Sequence, residues 1–118
     1  MAEKRPLITL TTDFGYKDPF VGQMKAVIKG INPEADIVDI THSITPYNIR
    51  EAAIMLGLSY EYFPSRTVHV VVVDPGVGSQ RRALLVVGEN HYFVGPDNGV
   101  FSMVYEKEKN YLKVYEIT

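Results

Sequence analysis

The sequence predicts an α/β fold: a three-layer sandwich with a largely parallel or mixed central sheet flanked by helices. Three observations point there. Short runs rich in β-branched residues alternate with segments whose apolar residues fall at helical spacing, the pattern of strand-helix-strand units. The run "VHVVVV", Val68 to Val73, is almost continuously apolar, as expected of a central strand covered by helices on both faces. Proline, glycine, asparagine and aspartate punctuate the junctions.

Leu7 to Thr12, "LITLTT", reads as the first strand, ended by Asp13-Phe14-Gly15. Asp18 then supplies an N-cap and Pro19 a first-turn proline. Phe20, Val21, Met24, Val27, Ile28 and Ile31 follow along one helical face until Gly30 and Asn32-Pro33 stop the helix. Ala35 to Ile40 is the second strand. A second helix starts at Pro46, capped by Thr45, with Ile49, Ala52, Ala53, Leu56, Tyr60 and Phe63 on its buried face before Pro64 breaks it. After the valine strand, Ala83 to Val87 and His91 to Val94 are two strands joined through Gly88-Glu89-Asn90 as a hairpin. Pro96-Asp97-Asn98-Gly99 caps a short helical piece carrying Val100, Phe101 and Val104, and Tyr111 to Ile117 is the last strand.

A chain of 118 residues fits one domain, since domains most often run roughly 100–150 residues. Hydrophobic residues at 46% and charged residues at 22% mark an ordinary globular protein rather than a disordered one. A net charge of -2 gives no electrostatic footprint for nucleic acid. The absence of cysteine excludes disulfides and thiolate metal sites and suits a reducing compartment. The N-terminus lacks the apolar core of a signal peptide, and no apolar run approaches the roughly 20 residues that span a bilayer. A cytoplasmic protein without membrane or nucleic-acid partners is expected.

Ligands of open α/β sheets bind beyond the carboxyl ends of the strands. Asp13, His42 and Asp74 occupy those positions, although a strand-end aspartate can equally be a plain cap. Asp74 opens the loop "DPGVGSQRR", whose Gly76 and Gly78 permit close backbone approach to a ligand. The loop lacks the lysine of a P-loop and the third glycine of a dinucleotide fingerprint. It does place Arg81 seven residues past Asp74, where a return strand can bring the guanidinium beside the carboxylate and keep it ionised; a surface ion pair is the plainer alternative. Arg82 is expected on the opposite face. His42, His69 and His91 match no standard zinc spacing, and His69 inside the valine strand reads equally as a hydrogen-bonded core residue. No metal is expected. A metal-dependent hydrolase built on His42, Asp13 and Asp74 is the remote alternative.

Four segments in order, "LTTDFGYKDPFVGQMKAVI", "DITHSITPYNIREAA", "VVVDPGVGSQRRALLVV" and "VGPDNGVFS", resemble the S-adenosylmethionine hydroxide adenosyltransferases, relatives of the fluorinase and chlorinase enzymes. The resemblance spans nearly the whole chain. It implies hydrolysis of S-adenosyl-L-methionine to adenosine and L-methionine, by attack of an activated water or hydroxide at ribose C5′ and without a cofactor. In that family an Asp-Arg-His triad holds the nucleophile, and Asp74 and Arg81 look like its first two members. The halogenating relatives lack this aspartate, so its presence favours water over halide. Asp13 is similar to the aspartate that binds both ribose hydroxyls. Asp18 and Phe20 lie in a stretch near the methionine and nucleoside portions, Asp74 also touches the nucleoside, and Tyr47 stands where the fluorinase packs a tryptophan on its ligand.

The resemblance also implies that residues 1–118 are the N-terminal α/β domain alone. The triad histidine belongs to a downstream segment beyond Thr118, and so does a C-terminal β-barrel domain. Family members commonly form trimers in which one subunit's N-terminal domain and its neighbour's C-terminal domain share the active site. The expected ligand is S-adenosylmethionine or adenosine and the expected assembly a homotrimer; a non-catalytic, nucleoside-binding remnant is the alternative.

Overall fold

The computed structural model describes residues 5–75 and 82–118. In chain order they form β1 (Leu7–Thr12), α1 (Phe20–Ile31), β2 (Asp36–Thr41), α2 (Ile49–Ser59) continued by a 3₁₀ turn at Tyr60–Tyr62, β3 (Val68–Val72), β4 (Ala83–Val87), β5 (Tyr92–Pro96), α3 (Ser102–Lys107) and β6 (Lys113–Ile117). One six-stranded sheet has the order β2-β1-β3-β5-β4-β6. The first four of these strands are parallel, whereas β4 runs antiparallel to both neighbours, so the sheet is mixed. This is the expected α/β class, and every predicted strand and helix is present. No helix among the described residues is long and apolar enough to cross a membrane.

Register decides which side chains meet which helix. Thr9 pairs with His69 and Thr11 with Val71, and side chains of paired residues share a face. Thr9, Thr11, His69, Val71 and Val73 are all buried. Val71, Val73 and Phe93 join Ala52, Leu56 and Tyr60 from α2 and its 3₁₀ extension, and Phe101 and Val104 around α3, in one core. The opposite face carries Leu10, Val70 and Val72 and is covered more thinly. Val70 and Val72 are only half-buried, and Val21 is the one buried residue of α1. The valine strand is thus fully covered on one side and partly on the other. Of the apolar stripe predicted for α1, Val27 and Ile31 stand 62% and 81% exposed.

All three predicted helix caps need correction; that of α3 is Phe101, past Pro96-Asp97-Asn98-Gly99, and no side chain closes that end. Pro19, not Asp18, is the N-cap of α1, and no side chain closes that end. Asp18 lies a residue too early, in the turn between β1 and the helix. At α2 the cap is Asn48 rather than Thr45, its side chain accepting from the Glu51 N–H at 2.9 Å. The helix cannot begin at Pro46, because Tyr47 adopts φ 65, a left-handed conformation. Thr45 instead donates its backbone N–H and its hydroxyl to the Glu51 carboxylate, a variation on the capping box.

Gly95 on β5 marks a close approach. A Cβ there would stand 2.8 Å from Cζ of Phe101 and 2.9 Å from the Val71 carbonyl oxygen. The carbonyl belongs to the central strand and cannot yield as a flexible side chain would. Gly95→Ala is therefore expected to destabilise the fold by about 1–3 kcal/mol, the usual cost of overpacking, which urea unfolding would measure; an unchanged midpoint would show that β5 shifts freely.

Candidate active site

The carboxyl ends of β1 and β3, adjacent in the sheet, border a cavity of about 400 Å³. Asp13, Asp18, Phe20, Tyr47 and Asp74 all line it. Five of the residues singled out from the sequence therefore meet in one place. Arg81 lies outside the described residues, as do Gly76 and Gly78. Phe14, Pro46, Val72 and Pro75 complete the wall.

Asp13 leaves β1 where the ladder with β3 ends, at Thr12 opposite Val72. Its Oδ2 accepts the backbone N–H of Tyr47 at 2.8 Å. That bond crosses from the β1 end to the segment before α2 and helps hold Tyr47 in its left-handed backbone, a conformation costing on the order of 1–3 kcal/mol that persists only where surroundings enforce it. The Tyr47 side chain remains largely exposed at the cavity rim. Phe14 and Phe20, both lining the cavity, pack with ring centroids 5.6 Å apart.

The loop carrying Asp13 and Phe14 is braced from beneath by side chains that sequence reasoning did not connect. The Thr12 hydroxyl accepts the Phe14 N–H at 3.2 Å and lies 2.6 Å from Nδ1 of His42. The Gly15 N–H donates to the His42 carbonyl at 2.8 Å, with Gly15 at φ 67. His42 Nε2 lies 2.9 Å from Asp39 Oδ1. Lys25 of α1 donates to the other Asp39 oxygen at 2.9 Å. Burial pushes the Asp39 carboxyl upward, yet the Lys25 ammonium and His42 outweigh it and hold the group below its ordinary value. Asp39, set between Val38 and Ile40 in "DIVDIT", was the signal available in the sequence.

His42, a strand-end candidate, thus serves β1 and β2 and does not line the cavity. His69 is a hydrogen-bonded core residue: Nδ1 lies 2.6 Å from the Thr9 hydroxyl and Nε2 3.2 Å from Nδ1 of His91. No group of three or more His, Cys, Asp or Glu among the described residues could hold a metal ion. Arg82 pairs loosely with Glu116 at 3.5 Å, both side chains being about half exposed or more.

Residues 8–118 match the family described as SAM hydroxide adenosyltransferase N-terminal domain. The chain is 46% identical over 106 residues to an (R)-S-adenosyl-L-methionine hydrolase of Methanocaldococcus jannaschii, an alignment covering 86% of this chain and 40% of that protein. To a fluorinase of an Actinoplanes species it is 26% identical over 140 aligned positions, covering 99% of this chain and 47% of the fluorinase. An uncharacterized conserved protein from Thermotoga maritima, solved by crystallography, superposes with a TM-score of 0.90 at 45% identity, over 94% of this chain and 43% of its own. The chain spans less than half the length of each of these relatives.

Proposed function

The chain belongs to the SAM hydroxide adenosyltransferase family, through that family's N-terminal domain, and from this premise we propose that it is part of an enzyme hydrolysing S-adenosyl-L-methionine to adenosine and L-methionine. The observation carrying the proposal is the shared cavity of Asp13 and Asp74. Three carboxylates and an aromatic wall suit a ligand that pairs a nucleoside with a sulfonium cation. The higher identity to a hydrolase than to a fluorinase supports water as the nucleophile.

In the proposed mechanism Asp13 receives the two ribose hydroxyls. Its Oδ1 faces no protein donor among the described residues, and Oδ2 retains a lone pair beyond the bond from Tyr47. Phe20 and Tyr47 pack on the nucleoside and methionine portions, and Asp18 faces the cationic end. Asp74 accepts a hydrogen bond from the attacking water, with Arg81 as its partner in the triad. Bulk water has a pKa of about 15.7, so the site must orient it in line with the C5′ to sulfur bond and stabilise hydroxide character as the bond to carbon forms. The C5′ to sulfur bond breaks with its electron pair going to sulfur, which leaves as neutral thioether. The water's second proton passes to solvent through the triad.

The third triad member and a C-terminal β-barrel come, on this reading, from the remaining length that the relatives carry, in a cytoplasmic homotrimer that uses no cofactor. The exposed apolar residues of α1 are consistent with a surface covered in such an assembly. The test uses the chain alone and the chain joined to the C-terminal portion of a hydrolase relative. Each sulfonium epimer is supplied, because the relative's name specifies the (R) form, and chloride is varied. The joined protein is expected to release adenosine and methionine in equal amounts regardless of chloride, while the chain alone binds adenosine. A chlorinated nucleoside, or no cleavage by the joined protein, would overturn the proposal. In the joined protein Asp13→Ala is expected to raise KM by about tenfold or more, the usual effect of losing hydrogen bonds to a charged group; an unchanged KM would remove Asp13 from the ribose.

A further inference from the structure

We propose that Asn98 is a positioning residue for Asp74: from the turn between β5 and α3, its side-chain amide fixes the end of β3 from which the Asp74 carboxylate enters the cavity. The inference rests on the reading of Asp74 given above. β3 pairs with β5 only as far as Val70 opposite Val94, and with β1 only as far as Val72 opposite Thr12. Val73 and Asp74 therefore project beyond both ladders. The Asn98 amide donates from Nδ2 to the Val73 carbonyl at 2.9 Å, the peptide group that joins Val73 to Asp74.

Asn98 is itself held on both sides. Its Oδ1 accepts the Val100 N–H at 3.2 Å, its backbone N–H donates to the Pro96 carbonyl at 3.0 Å, and Gly99 turns the chain at φ 102. Val100 and Phe101 beyond it are fully buried against the core. One amide thus transmits the rigidity of that core to the peptide bearing the reactive carboxylate. Only a side chain with a donor and an acceptor on one planar group can bridge both partners.

Asn98→Ser tests this, because a serine hydroxyl still accepts the Val100 N–H locally but is too short to reach Val73. Asn98→Asp is the second variant, of equal size and without the donor. In the joined protein, assayed well below the variant's melting temperature, kcat is expected to fall about ten- to a hundredfold, as small misplacements of a reacting group do. KM should stay within about threefold, since Asp13 after β1, Phe20 of α1 and Tyr47 before α2 are untouched. The same split in whichever variant folds supports the inference. Unchanged kcat, or kcat and KM shifting together, overturns it and leaves the hydrolase reading standing. If the wild-type protein cleaves nothing, that reading fails by itself, and the inference is decided by backbone amide order parameters. A value for Asp74 lower in Asn98→Ser than in wild type, with Leu10 unchanged, supports it; equal values for Asp74 overturn it.

Discussion

Asp74→Asn in the joined protein is expected to lower turnover of S-adenosylmethionine by about a hundred- to ten-thousandfold, the range over which positioned acid-base groups contribute. Asparagine keeps the volume of the side chain but removes the charge, and it presents an NH₂ donor where the carboxylate only accepts. It can neither stabilise developing hydroxide nor hold the water by acceptance at both oxygens. Asp74 is only half-buried, at the cavity wall beyond the end of β3, so the melting temperature should move by a few degrees at most. Since the proposed mechanism pairs Arg81 with Asp74, Arg81→Ala is expected to act in the same direction. Steady-state kinetics with thermal melts separate the outcomes: a large loss of stability with turnover intact would make Asp74 a structural residue.

The largest expected effect on stability comes from pH and from His69. This side chain is fully buried. Burial first, and the neighbouring His91 second, depress its pKa from 6.5 to about 3. The neutral ring exchanges one hydrogen bond with Thr9 and one with His91; a second ring proton would put donors on both nitrogens. Below its ordinary pKa of 6.5 the unfolded chain takes up a proton that the folded chain refuses until about pH 3. Stability is therefore full above this window and falls with pH inside it, by about 1.4 kcal/mol per pH unit for this one group.

His91 adds to the slope, its pKa lowered by burial against the opposing pull of Glu108 and Glu61. Asp39, with its carboxyl held low, adds a loss of the same sign as pH falls below its ordinary 3.8. Urea midpoints measured across this range give the slope. His69→Asn, which keeps an acceptor for Thr9 but does not titrate, should leave only the share of His91 between pH 6 and 4.5. A flat profile in the wild type would mean that His69 is charged in the folded protein.

The parallel core of the fold was readable because β1, β2 and β3 are short β-branched runs closed by proline, threonine or aspartate, and their observed limits fall within a residue of those expected. That legibility extends to the site, since strand ends of neighbouring parallel strands gather at one edge of the sheet, and Asp13 and Asp74 do so. Periodicity could not reveal how little of α1 is covered: it tells which residues share a face, not what lies against that face. The start of α2 was hidden for a different reason. Tyr47 takes its left-handed backbone in partnership with the carboxylate of Asp13, far away in sequence, and no local propensity encodes such a bond. Asn98 was read only as part of the segment capping a short helical piece, because its second partner, Val73, lies beyond the end of β3 and far away in sequence.

Cleavage in water enriched in heavy oxygen tests the central claim most directly, with the 5′-hydroxyl of the released adenosine analysed by mass spectrometry. Attack at C5′ from a cavity bounded by Asp13 and Asp74 predicts one heavy oxygen atom in adenosine, none in methionine, and loss of the signal in Asp74→Asn. Unlabelled adenosine, or an undiminished yield of labelled adenosine in that variant, would contradict it.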